Sequence, residues 1–120
     1  MIGSQMVRIS SYHFGRIVIN GVTYSSDCLI LGETVHANWW RKQGHLLSPE
    51  DLQPVVTAKP SVLVVGCGAS GLMKISKELP EFLHEYNITL EAFDTHKAVE
   101  CFNELSRTGE NPAAALHLTC

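Results

Sequence analysis

The sequence is short of basic charge, has no closely spaced cysteine pair and has no long apolar run. Lysine and arginine total 9 against 12 acidic residues, for a formal net charge of −3. The densest cationic spot is Arg41-Lys42. Phosphate backbones are bound by several cations on one surface, so nucleic acid is not an expected partner. No apolar stretch approaches the roughly 20 residues of a membrane-spanning helix, so no membrane partner is expected either. Met1-Ile2-Gly3-Ser4-Gln5-Met6 has neither a signal-peptide core nor an Arg-rich transit segment, and the expected location is cytoplasmic. Cys28, Cys67, Cys101 and Cys120 are far apart with no C-x-x-C, and read as reduced thiols. Neither they nor the 6 histidines have zinc-ligand spacing, so no metal and no cofactor is expected.

What is present fits one compact domain over residues 1–120. Hydrophobic residues make up 45 % and charged residues 18 %, which supports a globular core. A chain of this length holds one sheet of about five strands with two or three helices.

Asn20-Gly21 lies between the β-branched runs Arg16 to Ile19 and Val22 to Tyr24. Both turn residues tolerate positive φ, so a hairpin is expected. Cys28 to Leu31 reads as a strand ended by Gly32. Val35 to His45 is irregular or a strand. Ser48-Pro49-Glu50-Asp51 reads as a helix start, with Ser48 as cap, Pro49 in the first turn and two acids at the positive dipole end. Pro54 should keep that helix short or kinked.

Val62 to Val65 is a buried strand that runs into the turn Gly66-Cys67-Gly68-Ala69-Ser70-Gly71. Beyond it two readings compete. Leu72, Ile75, Leu79, Phe82 and Tyr86 have helical spacing, but Pro80 would then fall in the third turn at a cost of about 3 kcal/mol. A short strand over Met73 to Ile75, with the helix starting between Ser76 and Pro80, removes the conflict and is favoured. Ile88 to Phe93 is a strand. Asp94 or Thr95 caps a helix to about Arg107, with Ala98, Phe102 and Leu105 on one face, and Gly109 stops it. Ala113 to Thr119 is a last buried strand. The order defines an α/β fold with a mostly parallel core sheet.

The turn has the G-x-G-x-x-G spacing of dinucleotide sites. Two companion features are weak. Pro80 interrupts the helix that should start at the third glycine. The acidic partner is ambiguous, because Glu91 lies inside a strand and Asp94 serves as a cap. The alternatives are an anion cradle and a tight structural turn. Around Ser70 the last glycine is misplaced for a hydrolase elbow. Gly66, Cys67, Gly68, Ser70, Gly71, Thr95 and His117 are therefore ligand-binding candidates, and no catalytic residue is assigned. Cys67 could be activated by nearby amides or could simply fill the turn. His117 reads as a core histidine that could lie beside the turn. Trp39, Trp40 and Arg41 are partner-binding candidates, with at least one Trp expected to close the core.

Several segments carry a family resemblance. They are Phe14-Gly15-Arg16-Ile17, Trp39-Trp40-Arg41 with Gly44-His45, Ser48-Pro49-Glu50-Asp51-Leu52, Leu63 to Gly68, Thr95, Ala98-Val99, Phe102-Asn103-Glu104-Leu105 and Ala113 to Cys120. The sequence resembles the domain of unknown function 498 family, the Mth938-like domain, whose relatives include a mitochondrial complex I assembly factor and an adipogenesis-associated protein. The His-x-Thr-Cys ending is the most specific part. The resemblance implies a three-layer α/β fold around a central mixed sheet with the last strand antiparallel, distinct from a Rossmann fold. It implies no catalytic residues. It points to a non-enzymatic protein-binding or assembly module. The alternative is an enzyme or sensor holding an anion or small ligand at Gly66 to Gly71. A protein is the expected partner, with a small anion or a second copy of the chain as further options.

Overall fold

A computed structural model describes residues 7–120; Met1 to Met6, the segment on which the location expectation rests, lie outside the described residues. The chain begins with an antiparallel sheet of β1 (Ile9–His13), β2 (Arg16–Ile19) and β3 (Val22–Tyr24). Asn20 and Gly21 make the β2–β3 turn at φ 48° and 81°, the left-handed geometry expected of Asn-Gly. The central sheet has five strands: β4 (Cys28–Leu31), β5 (Thr34–His36), β7 (Val62–Cys67), β9 (Thr89–Phe93) and β10 (Pro112–His117). Their order is β5-β4-β10-β7-β9. A two-residue parallel pair, β6 (Leu46–Leu47) with β8 (Lys74–Ile75), lies outside both sheets.

The sheet is mixed. β10 and β9 both run parallel to β7, whereas β10–β4 and β4–β5 are antiparallel. The implied antiparallel last strand therefore holds only toward β4. Strand alternation sends residues to opposite cores. Leu63, Val65, Ala113 and Ala115 face a core shared with Leu52, Val55, Leu79 and Leu83. Val64, Ala114 and Leu116 face one shared with Ile17, Ile19, Ala98 and Phe102. Burying each such Val or Leu contributes about 1.5–3 kcal/mol. The result is three layers, with the short helices on one face and the hairpin sheet plus the long helix on the other.

Ser48 sits at the N-cap in a capping box with Asp51, whose N–H donates to the Ser48 carbonyl at 3.0 Å. In return Asp51 Oδ2 accepts the Ser48 N–H at 2.9 Å. A 3-10 turn over Pro49–Leu52 follows, then α1 (Gln53–Ala58), with Pro54 in its first turn, where a missing N–H costs nothing. Helix α2 (Leu79–Glu85) starts late, with Pro80 in its first turn. The continuous helix from the glycine turn is absent, as Pro80 required. Helix α3 (Thr95–Arg107) is capped by Asp94, whose Oδ1 accepts the Lys97 N–H at 3.0 Å.

Asn103 ties α3 to the hairpin sheet. Its Oδ1 accepts the Ile9 N–H at 2.9 Å and its Nδ2 donates to the Ile9 carbonyl at 2.8 Å. A side chain with both a donor and an acceptor is needed to satisfy this backbone unit. Asn103→Leu should lower unfolding free energy by about 2–3 kcal/mol, because it strands two partly buried backbone groups. Urea denaturation checks this; a loss below 0.5 kcal/mol on that scale means the clamp contributes little.

Candidate functional site

The amides of the glycine turn are committed to acceptors within the protein. Gly68 N–H donates to Thr95 Oγ1 at 2.8 Å, and Thr95 Oγ1 donates to the His117 carbonyl at 2.6 Å. Ala69 N–H donates to the Thr119 carbonyl at 2.6 Å, Gly71 N–H to Gly68 at 3.1 Å and Leu72 N–H to Cys120 at 3.0 Å. The turn thus holds the tail after β10 with the amides that an anion would need. Ser70 is exposed at its tip. Two glycines have steric reasons. A Cβ on Gly66 would lie 2.8 Å from Thr95 Oγ1 and 3.2 Å from its Cα, so glycine lets α3 start against the strand. At Gly68, with φ +103°, a Cβ would meet the Cys120 carbonyl carbon at 2.1 Å. Thr95 is fully buried and bridges the turn to the end of β10, a position the helix-cap reading did not anticipate.

The densest polar cluster lies beside this turn, around Asp27. Its Oδ1 accepts the Leu118 N–H at 2.8 Å. Its Oδ2 is 2.9 Å from Arg41 Nη2 and 2.8 Å from His117 Nδ1. A carboxylate facing a guanidinium accepts here, so His117 Nδ1 is assigned the proton and Nε2 is the second ring nitrogen. Arg41 Nη2 also passes 3.2 Å from Nδ1. Arg41 Nε donates to the Gly44 carbonyl at 2.8 Å, and the guanidinium lies 4.8 Å from the Trp39 ring centroid. The Arg41 and His117 side chains are 6 % and 7 % exposed. Among the described residues, Arg41 Nη1 and His117 Nε2 are buried without a hydrogen-bond partner.

The structure thus joins Arg41 and His117, nominated separately from the sequence, and adds Asp27, which sequence reasoning missed. Asp27 sits in a short polar link before β4, and no spacing relates it to positions 41 and 117. His117 is the buried, hydrogen-bonded histidine expected, and it lies beside the turn: a Cβ on Gly68 would be 3.0 Å from its Cδ2. The exposed His45 packs edge-on against it at 5.7 Å between centroids.

The two tryptophans divide the roles that were left open. Trp39 is 9 % exposed in the core, and its Nε1 donates to the Asp51 carbonyl at 3.3 Å. Trp40 is 84 % exposed. A cavity of about 320 Å³ lies against them, lined also by Ser25, Ser26, Asp27, Asn38, Arg41 and Gly44.

Burial raises the Cys67 thiol, and the Asp94 charge raises it further. Burial pushes Cys28 up to about 12, with Asp27 adding to the effect. These directions oppose an activated thiol. Among the described residues, no group of three or more His, Cys, Asp or Glu side chains could hold a metal ion, and no helix is long and apolar enough to cross a membrane.

Layer order and site define a small three-layer α/β domain closed by its own C-terminal tail. A family model described as a protein of unknown function, DUF498/DUF598, matches residues 9–117, and the chain belongs to that family. Solved structures share its fold. A Bordetella parapertussis protein is 24 % identical with a TM-score of 0.82, covering 98 % of this chain and 99 % of its own. A protein named MT938 is 22 % identical with a TM-score of 0.80, covering 95 % and 99 %. A protein described as an outer membrane protein from Bartonella henselae is 22 % identical with a TM-score of 0.80, covering 95 % and 96 %. No functionally curated protein matches the sequence.

Two outcomes follow from this geometry. Arg41→Met should cost about 2–3 kcal/mol by leaving the largely buried Asp27 carboxylate without its cationic partner, with only His117 and the Leu118 N–H to hold it. Adding Asp27→Asn should recover part of that loss, with a coupling of about 0.5–3 kcal/mol in a double-mutant cycle read by urea unfolding. Additive losses would show that the two side chains act independently.

The thiols give a pH test. A thiol whose pKa is higher in the folded state binds its proton more tightly there. The stability from Cys28 is therefore complete below its ordinary value of 9.0 and is lost as pH rises toward about 12. Melting temperature should fall across that window, and less steeply in Cys28→Ala. At pH 8 a chromogenic disulfide reagent should label Cys28 and Cys67 more slowly in the folded than in the unfolded protein. Faster labelling of folded Cys67 would restore the reactive-thiol reading.

Proposed function

We propose that this domain is a non-enzymatic protein-binding or assembly module that docks through the Trp40 segment. The observation that carries the reading is a tryptophan 84 % exposed on a chain segment fixed on both sides. Trp39 is anchored by its N–H to the Asp27 carbonyl at 3.0 Å, and Arg41 by Asp27 and Gly44. A large aromatic presented on a rigid base loses little conformational freedom on binding, and such residues dominate interfaces. The commitment of the glycine turn to its own tail supports the same reading, as does the assembly role implied by the family resemblance. The four free cysteines fit a reducing compartment such as the cytoplasm.

Trp40→Ala should change stability by less than about 0.5 kcal/mol, since the ring packs on little. It should weaken partner binding by about 2 kcal/mol or more if Trp40 is the anchor. A photo-reactive residue at exposed Gln43 should give one discrete cross-linked species in cells that Trp40→Ala abolishes. A species indifferent to Trp40→Ala would refute the docking role.

A further inference from the structure

Three large apolar side chains, Phe14, Trp40 and Leu72, are each more than half exposed. All three sit on loops tied to the C-terminal tail. Gly15 N–H donates to the Leu118 carbonyl and Leu72 N–H to the Cys120 carbonyl. Arg41 meets Asp27, which also accepts the Leu118 N–H. Four extended residues span at most about 14 Å, so the tail gathers these loops at one end of the molecule. The other large exposed apolar residues, Val22 and Tyr86, lie away from this end: Val22 follows the turn at the far end of β2, and Tyr86 precedes the start of β9.

A cation accompanies each of the three. The segments read Phe14-Gly15-Arg16, Trp40-Arg41-Lys42 and Leu72-Met73-Lys74. In each the middle residue is held inward: Gly15 by Leu118, Arg41 by Asp27, and Met73 by burial with its N–H on the Cys67 carbonyl. The two flanking residues are exposed in all three. The carboxylates nearby are engaged locally. Asp27 holds Arg41 and His117, Asp51 accepts the Ser48 and Lys42 N–H groups, and Asp94 caps α3. Among the described residues Arg16 and Lys74 pair with no carboxylate. Lys42 meets Glu50 at 3.5 Å, an exposed pair of little strength. A chain of net charge −3 thus sets exposed cations beside exposed apolar groups at one end.

We propose that this end binds an acidic amphipathic segment of a partner protein. The segment's apolar side chains lie on Phe14, Trp40 and Leu72, and its carboxylates meet Arg16, Lys42 and Lys74. This rests on docking through the Trp40 segment and names the chemistry of what docks. Exposed aromatic anchors call for apolar side chains on the partner, and the cations beside them select carboxylates. An extended polyanion, such as a nucleic acid or an anionic bilayer, would also face the acidic excess of the rest of the chain, whereas a short segment meets only these loops.

In the test, the purified full chain is panned against a random dodecapeptide library displayed on phage, and enriched peptides are synthesised. They should combine Asp or Glu with Leu, Phe or Trp, and their amide chemical-shift changes should centre on residues 14–16, 40–42 and 72–74. Affinity should fall at least about tenfold between about 50 and about 500 mM NaCl, because exposed charges are screened. Arg16→Glu combined with Lys74→Glu should weaken binding at least about tenfold, and Leu72→Ser at least about threefold. Melting temperatures should stay near the parent value, since all three side chains are exposed. Enrichment of basic or uncharged peptides, shifts centred elsewhere, salt-independent affinity or no enrichment overturns the proposal. So does binding to vesicles containing phosphatidylserine that the same double variant abolishes, which would assign the surface to lipid. In cells the double variant should abolish the Trp40-dependent cross-link from Gln43. A Trp40-dependent cross-link that survives it leaves docking standing and removes the acidic partner, whereas one indifferent to Trp40→Ala removes the docking reading itself.

Discussion

The carboxylate of Asp27 is the constraint on which the rest of the structure depends. A carboxylate only 16 % exposed has to be paired and hydrogen-bonded. Asp27 meets that demand with three groups from two other parts of the chain: the Arg41 guanidinium, and the His117 imidazole with the adjoining Leu118 N–H. These bonds fix the loop that carries the tryptophans against the end of the central strand. Removing one partner leaves the others exposed to the full desolvation cost, so the cluster holds together as a unit.

The tail that follows β10 extends this locking outward. The Leu118 carbonyl accepts from Tyr12 Oη at 2.6 Å and from Gly15 N–H at 2.8 Å, which brings in the hairpin sheet. Thr119 and Cys120 take amides of the glycine turn. Thr95 ties the same turn to β10 at the first residue of α3. The His-x-Thr-Cys ending, the most specific part of the family resemblance, is therefore a seam joining both sheets, a helix start and a turn. Its distinctiveness has a structural cause and requires no chemistry at Cys67 or Cys120.

Local features were legible wherever a single residue restricts its own backbone. Asn20-Gly21 gave the hairpin through positive φ. Pro80 decided between two helix starts through its missing N–H. Asp94 marked the start of α3. The apolar runs at Val62 and Ala113 marked buried strands, because a strand covered on both faces has no polar side. The exceptions have physical causes as well. The helix start at Ser48 opens on a 3-10 turn, and the fork around Asp27 left no trace in local spacing. The G-x-G-x-x-G spacing matched a dinucleotide site because glycine answers any close approach of backbone, whether the neighbour is a pyrophosphate or the chain's own Cys120.

The sequence by itself determined most of the elements and their period, though not β1 or β6, and with them the family and the residue types available for a site. Those depend on backbone sterics and apolar patterning, which act over a few residues. Only the tertiary structure decided that β10 inserts between β4 and β7, that Arg41 and His117 share one carboxylate at Asp27, and that one indole is buried while its neighbour faces solvent. Those facts depend on contacts across 76 and 90 positions of chain. At such separations no local spacing records the pairing, because the partners are brought together only by packing the layers.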